Sequence, residues 1–405
     1  MNFDTIIDRK GTLSLKWDNA KNIPGLPDII PLWVADMDFA PPDAVLEAIR
    51  ARALHPIFGY TNVGSEYFEA VASWYRDRQA LELPPGDILL APSVMPSLSI
   101  AVNAFTERGE GVMILTPVYH PFFSTVEENG RVVVPTPLVK SADGSWGMDL
   151  AGMEAAADKA EKAGTRLRAI LVSSPHNPVG RVWRQAEIDA LLDFASRRSL
   201  AIFCDEIHSD IILGKSPFLS MARIEGERAK GLIVLSGPNK TFNMAGLHIS
   251  QVIARDEATR NTMKRALSAA GYSQPNVFSL VAATAAYREG GKWLDELLAY
   301  LQGNYRFLLE FLSRELPEVG VSELEGSYLA WLDLHSVLLK RGEYSDERPL
   351  AAMLEEKGRV KLSPGSGFGA TGAGYLRLNL ACPRSLLAEG LKRMSETVKL
   401  REVSE

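Results

Sequence analysis

The sequence predicts an α/β protein: a large domain with a mostly parallel central sheet, followed by a smaller α+β domain at the C-terminal end. Three observations carry this expectation. Four short apolar runs in the middle of the chain alternate with longer stretches of helical periodicity, as in a sheet buried on both faces. Each run ends in a short polar segment rich in Ser, Pro, Asn, Asp or Gly. After residue 289 the texture changes, with one long helical pattern and two short alternating strands.

Taken in order, residues 1–18 carry scattered charges and no continuous apolar core, so they read as neither signal peptide nor membrane anchor. Residues 24–42 are Pro-rich and poor in helix signals. They are expected to run extended across a surface or a subunit interface before the first helix. The buried strands are Val112-Met113-Ile114-Leu115, Ala169-Ile170-Leu171-Val172, Leu200-Ala201-Ile202-Phe203 and Leu232-Ile233-Val234-Leu235. Between the second and third, Ile188, Leu191, Leu192 and Ala195 recur at helical spacing opposite Arg184, Glu187 and Arg197, which makes a strand-helix-strand unit. A helix over 293–316, strands over 328–334 and 375–380, and a Gly-rich loop at 364–374 complete the smaller domain. The expected division is 1–48 as an N-terminal segment shared between the small domain and an interface, 49–288 as the large domain, and 289–405 as the small one.

The 405 residues are 46% hydrophobic and 23% charged, enough for a large core and more than one domain. The net charge of −6 is spread without long runs of one sign. Neither a nucleic-acid nor a membrane partner is expected; a small molecule is. Cys204 and Cys382 sit in apolar strand-like stretches, which fits packed thiols of a reduced cytoplasmic protein rather than a disulfide. No metal is expected.

Open α/β sheets bind ligands beyond the ends of their strands, and three successive strand ends here carry chemistry. Asn177 lies in Pro175-His176-Asn177-Pro178-Val179-Gly180, Asp205 in Cys204-Asp205-Glu206-Ile207-His208, and Lys240 in Ser236-Gly237-Pro238-Asn239-Lys240-Thr241. A lysine held in an irregular loop and partly desolvated has a lowered pKa and becomes a nucleophile near neutral pH. A carboxylate beside it can keep a pyridine nitrogen protonated, and an amide can donate to a phenolate oxygen. In Tyr375-Leu376-Arg377-Leu378-Asn379-Leu380 the alternation sets Arg377 and Asn379 on one face, where a guanidinium can hold a carboxylate through two parallel hydrogen bonds. Each residue also has a plainer reading: a surface lysine, an aspartate helix cap, an Asn-Pro turn, a sheet arginine paired with an acid. Glu206 reads as a surface or network carboxylate. Convergence of three polar strand ends in one crevice favours a site.

The order Asn-Pro-x-Gly, Asp after a strand, Ser-x-x-x-Lys and Arg-Leu-Asn resembles the fold-type-I pyridoxal-phosphate enzymes over nearly the whole chain. More narrowly, Pro31-Leu32-Trp33-Val34-Ala35-Asp36-Met37-Asp38-Phe39, Gly59-Tyr60-Thr61, Asp205-Glu206-Ile207-His208-Ser209-Asp210 and Arg377-Leu378-Asn379-Leu380-Ala381-Cys382-Pro383-Arg384 resemble the cystathionine β-lyase branch of the class I/II aminotransferase family. The resemblance implies an aspartate aminotransferase-like fold, a homodimer, and pyridoxal 5'-phosphate held as a Schiff base on Lys240. It further implies Asp205 as partner of the pyridinium nitrogen, Asn177 as O3' contact, and His208 as a neighbour of the cofactor. Tyr119 would stack on the ring, and Tyr60 would reach the neighbouring subunit's site. The phosphate would be held by the N–H groups of Val94 and Met95 with the hydroxyl of Ser236 or Thr241. Arg377 would bind the substrate α-carboxylate, with Ala35 and Trp33 lining the substrate pocket.

Four positions depart from the pattern. Asn239 stands where relatives usually have serine, His248 where many aminotransferases have a phosphate-binding arginine, and His208 where they have tyrosine. His120 follows the stacking tyrosine, where some relatives carry a second tyrosine. A packed, hydrogen-bonded histidine is the plainer reading of His248. The branch implies a carbon–sulfur β-lyase that converts L-cystathionine or another cysteine S-conjugate to thiol, pyruvate and ammonia. An aminotransferase shares every residue named, and a non-catalytic regulatory protein is the third possibility.

Overall fold

The computed structural model describes residues 2–19, 26–342 and 346–400. Its centre is a seven-stranded sheet in the order Ile88–Ala91, Ser250–Ile253, Leu232–Ser236, Ala201–Asp205, Leu167–Ser173, Gly111–Thr116 and Val132–Pro137. All neighbours pair in parallel except around Ser250–Ile253, which is antiparallel to both of its partners. The four expected apolar runs are strands of this sheet, although Leu200 precedes the third one. Their burial is nearly complete on both faces, which is why they read as continuous apolar runs rather than as alternation.

The helix Gln185–Arg197 buries Ile188, Leu191, Leu192, Phe194 and Ala195 against the sheet. Glu187 closes its first turn by accepting from the Arg184 N–H at 2.8 Å, one of the donors a helix start leaves unpaired. This unit sets the register in which Ser173 lies beside Asp205 and Asp205 beside Leu235, so the three strand ends open onto one crevice.

The C-terminal part holds an antiparallel four-stranded sheet in the order Gly320–Val321, Leu329–Asp333, Tyr375–Asn379, Ser363–Pro364. The helix Gly291–Glu315 joins the two cores. Trp293, Leu294, Leu297 and Leu301 pack into the larger one, while Leu308, Phe311 and Leu312 pack into the smaller. Ile30 and Leu32 belong to the smaller core, because Ile30–Pro31 pairs in parallel with Val360–Lys361. A four-residue helix, Leu15–Asp18, precedes the Pro-rich stretch, so that stretch does not come before the first helix as expected. Its residues 24 and 25 lie outside the described residues. Both cysteines are free and buried.

Candidate active site

A cavity opens at the strand ends, lined among others by Ala35, Tyr119, Asn177, Asp205, His208 and Lys240. Lys240 does not sit in a loop: Pro238–Thr241 forms one helical turn, started by Pro238 at a position where its missing N–H costs nothing. The turn points the amine at the carbonyl of Ala35, to which Nζ donates at 2.5 Å. Burial lowers the amine's pKa to about 8, with Asp36 and Asp205 raising it and Arg377 lowering it. Thr241 anchors the turn from below by donating to Asp210 at 2.8 Å.

Asp205 closes its strand with Oδ1 accepting from the Ile207 N–H at 3.0 Å. The cap reading is therefore met by one oxygen only, and the carboxylate still faces the cavity. Burial pushes it up to about 6, against the Ile207 N–H and the Lys240 charge. Glu206, by contrast, is completely buried. It accepts from Ser220 Oγ at 2.6 Å and from the Met221 N–H at 2.7 Å, so it is a network carboxylate and not a surface one.

Asn177 sits in a turn that needs glycine at its end. Gly180 has φ +74°, and a Cβ there would lie 2.7 Å from Leu324 Cδ1. The Asn177 Oδ1 accepts from Arg377 Nη1 at 3.1 Å, which leaves the amide N–H groups as its remaining function. Arg377 also donates to the Trp33 carbonyl at 2.9 Å and lies 4.7 Å from the Phe368 ring centroid. Among the described residues no carboxylate pairs with it, so the acid-paired sheet arginine is not what forms. Its Nε is buried without a partner, and burial lowers its pKa to about 10.

Val94 and Met95 open the helix Val94–Phe105 at the cavity wall, where unpaired N–H groups and the helix dipole favour an anion. His248 lines the same end, with Nδ1 3.0 Å from Ser93 Oγ. It is hydrogen-bonded as expected but exposed rather than packed, and its backbone is left-handed at φ +52°. The hydroxyls of Ser236 and Thr241 are not brought to the cavity. Ser236 donates to the Glu206 carbonyl at 3.3 Å and Thr241 to Asp210. His208 lines the cavity, with its Nδ1 unpaired and its pKa pushed down to about 3 by burial, Lys240 and Arg377. Trp33 contributes its carbonyl; its ring lies against Lys361 Nζ, 4.9 Å away. Tyr60 is 99% exposed and outside the cavity. Tyr328, whose hydroxyl donates to the Ala35 carbonyl at 3.0 Å, was not singled out in the sequence; only its place at the start of a strand marks it.

An amine, a carboxylate, an amide and a guanidinium converging at the strand ends of a largely parallel sheet define an enzyme site for a small, charged molecule. The chain belongs to the aminotransferase class I and II family, whose model matches residues 27–394. Cystathionine β-lyase PatB of Bacillus subtilis strain 168 is 37% identical over 394 residues, 97% of this chain and 99% of the relative. The structure of the C-S lyase from Staphylococcus hominis, bound to pyridoxal phosphate, superposes with a TM-score of 0.89 at 30% identity, over 99% of this chain and 98% of that one. Cystalysin from Treponema denticola, which contains a pyridoxal 5'-phosphate cofactor, gives a TM-score of 0.88 at 31% identity over 98% of both chains. The expected fold is the one observed.

Proposed function

We propose that this chain is a pyridoxal-phosphate-dependent carbon–sulfur β-lyase that cleaves L-cystathionine or a related cysteine S-conjugate to thiol, pyruvate and ammonia. The observation that carries the reading is the meeting of Lys240, Asp205, Asn177 and Arg377 at one cavity. The names of the relatives support the lyase outcome.

The residues fit the cofactor. Asp205 is buried and forms no ion pair among the described residues, an arrangement that a protonated pyridine nitrogen would relieve. Around the cavity Asn239 Oδ1, His208 Nδ1 and Arg377 Nε are buried and unpaired, as expected of walls built for a polar occupant. Bound there, pyridoxal 5'-phosphate supplies an electron sink for negative charge at the substrate α-carbon.

The chain's own residues do the rest. Lys240 would hold the cofactor covalently, and its Nζ, when free, would take the α-proton. Asp205 would keep positive charge favourable at the ring nitrogen, and the Asn177 amide would donate to the ring oxygen. Tyr119 flanks the cavity and would stack on the ring, and the N–H groups of Val94 and Met95, at the same wall, would meet the phosphate. His248 and Ser93 line that rim, whereas the Ser236 and Thr241 hydroxyls are turned to the Glu206 carbonyl and Asp210. Arg377 takes the α-carboxylate, held in aim by Asn177 and the Trp33 carbonyl.

In this reading 49–288 forms the cofactor-binding domain, 289–405 the small domain that brings Arg377, and 1–48 a segment shared with the dimer interface. A homodimer in the cytoplasm fits the buried free thiols and the exposed Tyr60. No helix among the described residues is long and apolar enough to cross a membrane. The test is to incubate the purified protein with cysteine thioethers and assay thiol and pyruvate. Release of both, lost in Lys240→Ala, is expected; pyridoxamine phosphate without pyruvate would assign an aminotransferase instead, and unchanged turnover in Lys240→Ala would defeat every catalytic reading.

A further inference from the structure

Beside the cavity, six successive backbone carbonyls each accept a hydrogen bond from elsewhere in the fold. Leu32 accepts from the Asn379 N–H at 2.9 Å, and Trp33 from Arg377 Nη2 at 2.9 Å and Ser363 Oγ at 3.0 Å. Val34 accepts from Asn379 Nδ2 at 2.7 Å. Ala35 accepts from Lys240 Nζ and Tyr328 Oη, Asp36 from Asn379 Nδ2 at 2.6 Å, and Met37 from Asn243 Nδ2 at 3.0 Å. Such a row of acceptors is a strip of partial negative charge, and of the four cationic side chains it meets, Lys240 and Arg377 are the site's own, while Lys16 reaches the Asp36 carbonyl at 3.3 Å and Arg9 the Met37 carbonyl at 3.0 Å.

The strip is fixed from behind by an ion cluster. Lys16 is completely buried and lies 2.7 Å from Asp38 Oδ2 and 3.5 Å from Asp36 Oδ1. Arg9 reaches Asp36 Oδ2 at 2.7 Å and Asp38 Oδ1 at 2.7 Å, and Trp17 Nε1 donates to Asp38 Oδ1 at 2.8 Å. Two cations facing two carboxylates in a mostly dry site form a rigid unit that is costly to break from one side. The N-terminal residues 9–17 thereby set where the Ala35 carbonyl stands.

We propose that the 32–37 carbonyl strip, locked by Arg9 and Lys16 through Asp36 and Asp38, is a positioning device that receives the Lys240 amine whenever it is not bound to cofactor and holds it for proton transfer. The proposal rests on Lys240 being the cofactor lysine. A free lysine amine is on a four-carbon tether able to swing; a carbonyl at 2.5 Å gives it one docking point inside the cavity. Charges facing that amine are Asp36, Arg377 and Asp205, with His208 also sensing it. Of these Asp36 acts to raise the amine's pKa, so the cluster sets protonation as well as place. Asp36 and Arg9 are positioning residues; neither is among the residues that line the cavity.

The test uses Asp36→Asn and the milder Arg9→Gln in the full chain, with thermal melting to show that each folds. Trace acylation of the cofactor-free chain across pH, read by mass spectrometry at Lys240, reports the amine directly. For Asp36→Asn the Lys240 reactivity curve is expected to move to lower pH. In the holoenzyme the acid limb of kcat moves the same way and kcat falls roughly tenfold with KM little changed. Arg9→Gln leaves the Asp36 charge less neutralised, so its Lys240 reactivity curve should move slightly to higher pH, with a smaller fall in kcat. Folded variants with unchanged Lys240 reactivity and an unchanged kcat profile would overturn the positioning role. Borohydride reduction of the wild-type holoenzyme separates the two claims: cofactor fixed on Lys240 upholds the functional reading, whereas cofactor fixed elsewhere brings down that reading and the docking role with it.

Discussion

Arg377 donates to the amide oxygen of Asn177 across 200 residues of sequence, at 3.1 Å, and so ties the C-terminal sheet to the strand-end crevice of the large one. The same guanidinium holds the Trp33 carbonyl. Its planar fork serves both contacts while keeping an edge for a carboxylate, something a single ammonium cannot do.

Arg377→Lys is therefore expected to lower kcat/KM by roughly 10- to 100-fold, the worth of one charge-assisted hydrogen bond, with most of the loss in KM. Asn177→Ala, which removes the guide but leaves the charge, should cost less in KM and also shift the cofactor's visible absorbance. Steady-state kinetics with one thioether and an absorbance spectrum check both outcomes.

Glu206 gives a pH prediction for stability. Burial lifts its carboxyl from the ordinary 4.5 to about 7, while Ser220 and Met221 pull the other way. A carboxyl with a raised pKa in the folded state binds its proton more tightly there than in the unfolded chain. Its stabilising effect is thus complete below about pH 4.5 and is lost as pH rises through about 7. Glu206→Gln removes this term, so its stability profile should be flatter than wild type between those values, by about 3 kcal/mol at most. Asp205, also raised by burial, contributes the same sign in both proteins when no cofactor is bound. Denaturant melts of the cofactor-free proteins across that range measure the difference; parallel profiles would refute it.

The large sheet and the crevice at its edge were legible because parallel strands buried on both faces leave continuous apolar runs, and because Asn177, Asp205 and Lys240 each follow one. Arg377 was legible from alternation. Lys240 reads as a loop residue because four residues are too few to show helical periodicity, yet Pro238 was the available signal for the turn. For Glu206 the surface and network readings stayed open because its partners, Ser220 and Met221, lie in a segment with no pattern of its own. His248 is hydrogen-bonded as expected but not packed; its place at the end of the short turn Ala245–Leu247 leaves no pattern in sequence. Ser236 and Thr241 were assigned to phosphate from their places near Lys240, but the Glu206 carbonyl and Asp210 claim their hydroxyls. The carbonyl strip of 32–37 is invisible in principle, since backbone acceptors carry no residue signature.

His120 tests the substrate side. It sits on the rim, 5.2 Å from the Tyr119 ring and 6.2 Å from Phe368 between ring centroids. Burial, with the Arg377 charge, lowers its pKa, which favours the neutral ring. His120→Phe is expected to alter KM and the preference among thioethers by about threefold to tenfold while leaving cofactor retention unchanged. Equilibrium dialysis of the cofactor, run beside the kinetics, checks the second half; loss of cofactor would move His120 to the cofactor side.

Tyr60 bears on assembly. It is almost fully exposed, and Leu54, Ile57 and Phe58 beside it are exposed as well, a run of large apolar side chains that water does not favour and a partner surface would cover. If a second copy covers it in a two-fold arrangement, each Tyr60 stands at the other subunit's cavity. Lys240→Ala and Tyr60→Ala are then each expected to be inactive or nearly so alone. Mixed and reassembled, they form hybrids in which the Tyr60→Ala subunit keeps its own Lys240 and receives an intact Tyr60 from its partner. Random reassembly should restore about a quarter of wild-type activity, since half of the dimers are hybrids with one complete site of two. Activity that stays at the level of the separate variants after verified subunit exchange would show that Tyr60 does not serve the neighbouring site.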